Sequence, residues 1–313
     1  MTDPTPDAPA ALPVPVAFPD RWAVAAPVRG DTTPIEVHAL EEHTVLLRQS
    51  KRSSHEAPVL ALLFGSRRAL LLDTGATTDP TAFPLRATVD SLVADWLERN
   101  PREDYELVVV HSHAHGDHVA ADAQLADRPG TVVVGKELAD VRAFFGLDEP
   151  GADEVAFDLG DRSLTVLATP GHHPTAIVLL DPRTGILLTG DTVYPGRLYV
   201  DDRRAFATST ARLAAFAAEH GVTWVVGAHV EARRAPGTEY PIGARSQPDE
   251  APLALAPDVL AEVADAAAQL ALTGPGRIVR GRFTVVDVKN RRAVLRLLAE
   301  GWLHRLRGRN RLS

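Results

Sequence analysis

The sequence predicts a layered α/β fold. From residue 35 onward, apolar runs of strand length alternate with stretches whose apolar residues recur at helical spacing. Clusters of proline, glycine and polar residues, as at 128–130 and 181–185, separate these runs. Strands in this number with helices between them are typical of layered α/β proteins, not of helix bundles or β-sandwiches. A length of 313 residues fits one large domain or a core with additions.

The chain begins with an arm and continues with strands. Residues 1–34 contain eight prolines and few apolar residues, so we expect an extended, partly disordered arm. The helix expected at 88–99 carries Val89, Val93 and Trp96 at helical spacing. The elements predicted up to residue 150 are strands at 35–40, 44–49, 59–64, 69–72, 107–110 and 131–134, and helices at 88–99, 117–125 and 137–145.

The second half repeats this outline and then changes in composition. The predicted elements are strands at 154–157, 163–168, 175–180, 186–189, 222–226 and 282–288, and helices at 205–219, 253–272 and 291–306. From Lys289 onward the chain is strongly basic, with Glu300 as its single acid. A run of this kind is usually a solvated face, and a nucleic-acid patch is the alternative.

Composition and charge exclude several classes of protein. The formal net charge of −8 argues against general nucleic-acid binding, which needs a basic face. The absence of cysteine excludes disulfides, thiolate zinc sites, iron–sulfur clusters and a cysteine nucleophile. No apolar run approaches the roughly 18 residues of a membrane span, and the first residues lack the pattern of a signal peptide. We therefore expect a soluble, cytoplasmic protein.

A histidine cluster follows the strand predicted at 107–110. The segment 111–118 reads His-Ser-His-Ala-His-Gly-Asp-His, with four of the twelve histidines in eight positions. Loops at strand ends can direct side chains onto a ligand without burying unpaired polar groups. Imidazole is the commonest metal ligand in proteins, and carboxylates join it around zinc. This segment therefore predicts a metal site.

Three further apolar runs end on residues of the same chemistry. His172 and His173 follow a Pro-Gly turn, Asp191 follows Gly190, and His229 comes shortly after a third run. Each position alone is more typical of an ordinary loop residue. Their shared placement at strand ends indicates that they join the histidine cluster in one site.

Together these motifs resemble the metallo-β-lactamase-fold hydrolase superfamily. The resemblance rests on His-x-His-x-Asp-His, Thr-Pro-Gly-His, Gly-Asp-Thr and a late Gly-x-His, with an Asp-Thr-Gly at 73–75, and covers roughly residues 35–235. It implies a four-layer αββα sandwich with metal ions at one edge, between two facing sheets. We expect a catalytic domain at 35–250 and, after the change in composition, a C-terminal extension at 251–313 that packs on the core.

The resemblance further implies a complete ligand set for two metal ions. The implied ligands are His113, His115 and His172 for the first ion, Asp117, His118 and His229 for the second, and Asp191 as the bridge. Asp73 matches the aspartate that supports the metal loops in this family. Two zinc ions per chain are expected, with iron or manganese as alternatives. His173 and Thr175 depart from the family's usual Thr-Pro-Gly-His-Thr-Pro-Gly, and His111 lies outside the motif.

The implied chemistry is hydrolysis at a carbonyl. Two ions about 3.5–4 Å apart lower the pKa of a shared water and polarise the carbonyl, while Asp117 or Asp191 shuttles the proton to the leaving group. Tyr194 resembles the tyrosine that lactonases of this family direct at the substrate carbonyl. Arg197 is a candidate for binding a substrate carboxylate, and Tyr199 is the second candidate tyrosine. Packing and solvation are the alternative roles for all three.

The substrate is less well defined than the site. A dinuclear zinc hydrolase of a small ester, lactone, thioester or amide is the leading hypothesis, and its branch, lactonase-like or glyoxalase II-like, stays open. The alternatives are an iron enzyme that uses oxygen, such as a persulfide dioxygenase, an RNA-processing nuclease of the same fold, and a metal-free scaffold. The expected partner is a small molecule, with no membrane and no nucleic acid. Assembly into a homo-oligomer stays open.

Overall fold

The computed structural model describes residues 12–147, 154–274 and 276–299. Its first sheet has the strand order β1-β2-β3-β4-β5-β6, from Ile35–Glu41, Thr44–Gln49, Val59–Phe64, Arg68–Leu72, Glu106–Val110 and Thr131–Val133. The second has the order β13-β12-β10-β9-β8-β7, from Ala254–Leu255, Trp224–Gly227, Ile186–Gly190, Ile177–Asp181, Ser163–Ala168 and Glu154–Asp158. A third sheet has the order β11-β15-β14, from Arg197–Val200, Thr284–Asp287 and Arg277–Val279.

Helices lie between and after these strands. They are α1 (Leu85–Arg99), α2 (Gly116–Val119), α3 (Asp122–Leu125), α4 (Leu138–Phe145), α5 (Arg203–Glu219), α6 (Val259–Thr273) and α7 (291–299), and a 3₁₀ turn covers Ala23–Ala25. No helix among the described residues is both long enough and apolar enough to cross a bilayer.

Alternating side chains of the two large sheets build three apolar layers. Leu46, Leu70 and Val108 of the first sheet pack with Val166 and Leu188 of the second, so the central core lies between the sheets. The strand residues between these positions point outward and are covered by helices. On the first sheet α1 provides the cover, and on the second α5 and α6 do. The predicted αββα order of layers is confirmed.

The described part of the proline-rich arm is anchored to the core by a few buried side chains. Trp22 and Val24 lie in the central core, and Phe18 packs edge-on against Trp224 with ring centroids 5.5 Å apart. The Val14 N–H donates to the Arg183 carbonyl at 2.7 Å. Residues 1–11 lie outside the described part of the chain.

The segment after residue 250 extends the second sheet and adds the third. β13 pairs with β12, α6 packs on α5, and β15 lies parallel to β11 with Arg197 opposite Thr284. The predicted helix at 253–272 begins later, because 254–255 form a sheet edge. The predicted helix at 291–306 is present to residue 299, and residues 300–313 lie outside the described part of the chain.

Two stretches of local structure differ from the predicted elements. No element was predicted between residues 189 and 205, but strand β11 lies there. The helix expected at 117–125 is interrupted, and the structure has the short helices α2 and α3 instead. β14 had no clear sequence signal. Both missed strands form through pairing with β15, which is remote in sequence from β11.

The ends of several strands meet at one edge between the two large sheets. β4 and β5 are parallel with Leu72 opposite Val110, and β10 and β12 are parallel with Gly190 opposite Gly227. The loops that follow these strands therefore leave on the same side. Two hydrogen bonds join the sheets there: Val59 N–H to the Ala228 carbonyl at 2.8 Å, and Ile177 N–H to the Ser112 carbonyl at 2.9 Å.

Candidate metal centre

Three histidines from two loops form the first group of the candidate metal centre. Nε2 of His113 lies 2.9 Å from Nδ1 of His115, and Nε2 of His172 lies 3.1 Å from both atoms. Burial lowers the pKa of His113 well below its usual range and also lowers that of His172. The neutral rings that metal binding requires are therefore favoured at two of the three positions.

Two carboxylates and two histidines form the second group, next to the first. His229 Nε2 lies 3.3 Å from Asp117 Oδ2 and 3.3 Å from Asp191 Oδ1. His118 Nε2 lies 3.5 Å from the same Asp191 oxygen and 3.4 Å from His229 Nε2. The ligand atoms of this group all lie within 4.8 Å of one another, as do those of the first group.

Asp191 lies between the two groups. Its Oδ2 is 3.7 Å from His172 Nε2, whereas its Oδ1 faces His118 and His229. The Oδ1 atom is buried and has no hydrogen-bond partner. A buried carboxylate oxygen without a partner is costly unless a cation compensates it. This oxygen and the all-nitrogen-and-oxygen donor set fit two divalent ions, zinc among them.

In the second group, the aspartates and histidines shift one another's pKa values even without a cation. Burial alone would raise the pKa of Asp191, but the charges of His229 and His118 lower it well below its usual range. The pKa of Asp117 is lowered to about 2, because the hydrogen bond to His229 and the nearby histidine charges outweigh burial. In turn Asp191 and Asp117 raise the pKa of His229 to about 9 against the effect of burial. The carboxylates are thus ionised, as metal ligands must be.

Outer hydrogen bonds fix which nitrogen of each ring faces the centre. His118 Nδ1 lies 2.8 Å from Asp73 Oδ2, and His172 Nδ1 lies 2.6 Å from the Tyr199 carbonyl. His229 Nδ1 lies 3.2 Å from the Glu56 carbonyl. In each ring Nε2 therefore stays available toward the centre. Such partners orient the rings of metal-ligating histidines.

Asp73 lies beneath the histidine loop. It accepts hydrogen bonds from the Ser112 N–H at 2.7 Å and the Ser112 hydroxyl at 2.9 Å, in addition to its contact with His118. Its φ of 70° is a left-handed conformation that residues other than glycine rarely adopt. The surrounding hydrogen bonds hold Asp73 in this conformation, where it joins the end of β4 to the histidine loop.

A cavity of about 590 Å³ opens beside the two groups. His115, Asp117, His172, Asp191 and His229 contribute to its wall. Its other lining residues include Lys51, Glu56, Glu231, Tyr240 and Gln247, none of which sequence reasoning identified. They come from loops at 50–58 and 230–247 without a recognisable motif, so only the tertiary structure brings them to the site.

Of the three predicted substrate-binding residues, Tyr194 and Tyr199 line the cavity, whereas Arg197 is buried in ion pairs. The buried Tyr194 lies in the cavity wall, but its hydroxyl donates to the Arg197 carbonyl. Arg197 is only 3% exposed, and its guanidinium pairs with Glu231 at 3.0 Å and Glu239 at 2.9 Å. Tyr199 also lines the cavity, with its hydroxyl 3.5 Å from Glu231. The Arg197 charge is thus compensated within the chain, which disfavours the expected carboxylate role.

Two further histidines in these loops, His111 and His173, lie outside both groups. His111 Nε2 pairs with Asp122 at 2.9 Å beneath the loop. His173 Nδ1 lies 2.8 Å from the Thr175 hydroxyl, and its ring centroid lies 4.8 Å from that of His115. His173 therefore lines the cavity beside the first group.

Comparisons with known proteins agree with this geometry. Residues 57–229 match the family model of the metallo-beta-lactamase superfamily. A hydroxyacylglutathione hydrolase from Rhizobium meliloti (strain 1021) is 29% identical over 146 residues, which are 45% of this chain and 54% of that protein. One from Mesorhizobium japonicum is 32% identical over 114 residues, 36% of this chain and 44% of that protein. The chain thus spans about half the length of the curated relatives it matches.

The solved structures to which the chain is similar have low sequence identity to it. The DIM-1 metallo-beta-lactamase, in a crystal structure exposed to ceftazidime, is 16% identical with a TM-score of 0.49. That similarity covers 76% of this chain and 99% of the lactamase chain. A metallo-beta-lactamase from Pontibacter korlensis is 20% identical with a TM-score of 0.44, covering 62% of this chain and 91% of that one.

Proposed function

The chain belongs to the metallo-beta-lactamase superfamily, and from this premise we propose that it is a dinuclear, zinc-dependent hydrolase of small carbonyl substrates. The observation that carries the proposal is the convergence of seven His and Asp side chains in two adjacent groups joined by Asp191. Thioesters are the first substrate class to test, because the curated relatives are named hydroxyacylglutathione hydrolases. Esters, lactones and amides follow.

The chain's own residues would hold the ions and move the proton. His113, His115 and His172 would bind one ion, Asp117, His118 and His229 the other, and Asp191 would bind both. Two divalent ions, when bound, supply the Lewis acidity that activates water and polarises a carbonyl. Asp117 is the better proton carrier of the two aspartates, since its side chain is 24% exposed toward the cavity and that of Asp191 is 8% exposed.

Metal analysis joined to a hydrolysis panel tests the proposal. Protein purified without added zinc and then reconstituted should hold about two ions per chain, and zinc, iron and manganese are measured together. The panel contains a thioester, a lactone, an aryl ester, a β-lactam and a phosphodiester. Iron alone in the purified protein, with no hydrolysis after zinc reconstitution, would favour an oxygen-using enzyme instead.

Asp191→Asn is the matching variant. It keeps the size of the side chain but removes the charge that faces both groups, so about one ion should remain and turnover should fall at least about 100-fold. Asp158→Asn makes the same change at an exposed position paired with Arg67, and should leave both measurements unchanged. Two ions and full activity in Asp191→Asn would refute the bridging role.

A further inference from the structure

A buried lysine lies in the cavity wall, away from the metal groups. Lys51 follows β2 and is 2% exposed, and its ammonium donates to the His55 carbonyl at 2.7 Å. Within the described residues no carboxylate forms an ion pair with it. An ammonium has three donors, so this one retains donors for a further partner.

Gln247 lines the same cavity and also has an unpaired polar atom. It is 4% exposed, and its Oε1 has no hydrogen-bond partner. Two neighbouring carbonyls of the N-terminal arm bind the backbones of Lys51 and Gln247. The Val24 carbonyl accepts from the Lys51 N–H at 3.1 Å, and the Ala25 carbonyl accepts from the Gln247 N–H at 2.8 Å. The backbones at Lys51 and Gln247 are therefore fixed relative to one another.

A second pair of consecutive carbonyls connects Lys51 to the metal centre. The His55 carbonyl accepts from the Lys51 ammonium, and the Glu56 carbonyl lies 3.2 Å from Nδ1 of the ligand His229. Since adjacent Cα atoms are about 3.8 Å apart, the ammonium lies within about 10 Å of the His229 ring. The next residue, Ala57, is fully buried with a φ of 46°, so packing holds this segment in one conformation.

We propose that Lys51 and Gln247 form a substrate-recognition subsite for a carboxylate that carries an adjacent N–H donor. The carboxylate would accept from the Lys51 ammonium and the N–H would donate to Gln247 Oε1, which compensates both buried groups. The inference rests on the proposed function and narrows it to acyl derivatives of acylamino acids. The carboxylate lies a few bonds from the scissile carbonyl.

Burial leaves the charge of the Lys51 ammonium incompletely compensated, although several carboxylates line the same cavity. Burial, together with the charge of Arg48, lowers the pKa of Lys51 to about 8, although Glu250, Glu231 and Glu56 act in the opposite direction. A carboxylate in contact would stabilise the charged ammonium. Of these glutamates, Glu250 already forms an ion pair with Arg48 at 2.5 Å. Its carboxylate is therefore less available to Lys51.

A pair of thioesters, one with a carboxylate and one with a neutral amide in its place, tests the subsite. S-acetyl-N-acetylcysteine carries the carboxylate and the N–H, and its N-methylamide replaces the carboxylate by a neutral group. Hydrolysis of either thioester by water gives acetate and a free thiol. The rate of thiol release is measured. Wild-type protein loaded with zinc should prefer the acid by about 10- to 100-fold in kcat/KM, mainly through KM, because charge-assisted hydrogen bonds are strong. A ratio near one in the wild type would overturn the subsite.

Lys51→Met keeps the length of the side chain and removes its charge. The preference for the acid should fall to near one in this variant. Lys136→Met makes the same change at an exposed position and should keep the wild-type ratio. A Lys51→Met protein that melts close to the wild type and retains the preference would overturn the proposal. If Lys51→Met fails to fold, the wild-type ratio still decides.

Binding separates the subsite from the hydrolase proposal. N-acetylalanine is titrated calorimetrically into zinc-loaded wild type and Lys51→Met, and its Kd should weaken about 10-fold or more in the variant. Equal affinity in the two proteins would show binding to the metal alone and overturn the subsite. Lys51-dependent binding without turnover of any thioester, ester, lactone or amide would support the subsite and refute the hydrolase.

Discussion

At the scale of single residues, the hydrogen-bond partner of a side chain says more about its role than the residue type does. Tyr194 lies three residues after Asp191 and was expected to act on the substrate because it resembles the tyrosine of lactonases of this family. Its ring does lie in the cavity wall, with its centroid 5.6 Å from that of His229. Its hydroxyl, however, donates to the Arg197 carbonyl. To stabilise an oxyanion, the hydroxyl would first have to break this bond.

Tyr194→Phe distinguishes the two roles. Since the hydroxyl is used within the chain, we expect kcat to change less than about threefold. The free energy of unfolding should fall by about 1 kcal/mol, because the Arg197 carbonyl loses its donor. Activity is measured on the best ester or thioester, and stability by denaturant unfolding. A fall in kcat of about 100-fold or more would restore the role of oxyanion donor.

At the scale of elements, glycine decides how closely a metal loop approaches a helix. Gly171 precedes the ligand His172 and has a φ of 140°. A Cβ at this position would lie 2.3 Å from the Phe206 backbone in α5. The Gly171 carbonyl also accepts from the N–H groups of Asp201 and Asp202, both at 2.9 Å. The loop and the start of α5 are thus joined at one residue.

Gly171→Ala should therefore act on the metal centre as well as on stability. The Cβ would push the loop away from α5 and displace His172, so the affinity for the first ion should fall at least about tenfold. Metal content after dialysis against a weak chelator measures this. Gly146→Ala is the control, because Gly146 also has a positive φ but no atom near its Cβ position. If both variants retain two ions equally well, the contact with α5 does not position His172.

The elements differ in how far the sequence determines them. β2, β3 and β8 have the predicted bounds, because each is a segment of strand length rich in apolar residues, with turn or polar residues on both sides. β11 was missed because its pairing with β15 stabilises it, and that strand lies more than 80 residues later. The metal loops were found because their ligands follow apolar runs directly. Lys51 and Gln247 were missed because the arm positions them through Val24 and Ala25, and such a contact leaves no local pattern.

At the scale of the whole molecule, the metal centre joins the two sheets through charge. His118 follows β5 of the first sheet, whereas Asp191 and His229 follow β10 and β12 of the second. Without metal, their attraction depends on protons on the histidines. The pKa of His118 is raised well above its usual range and that of His229 to about 9, in each case by aspartates that outweigh the effect of burial. Cations would replace these protons when they bind.

The raised pKa values of these histidines predict how the stability of the metal-free protein depends on pH. A histidine whose pKa is raised from 6.5 to about 9 stabilises the folded state fully below pH 6.5, and this contribution is lost as the pH rises through 9. For His229 alone it amounts to at most about 3 kcal/mol. The melting temperature of metal-free protein should therefore fall between pH 6.5 and 9.

Comparing metal-loaded with metal-free protein isolates this effect. Bound ions hold His118 and His229 unprotonated, so the melting temperature of zinc-loaded protein should fall less over the same range. The lowered pKa of Lys51 acts in the opposite direction above pH 8, but it acts on both forms and cancels in their difference. The gap between the two melting curves should widen from pH 6.5 to 9, and in His229→Gln it should widen less. Parallel curves for the wild type would mean that charge between the sheets does not stabilise the metal-free fold.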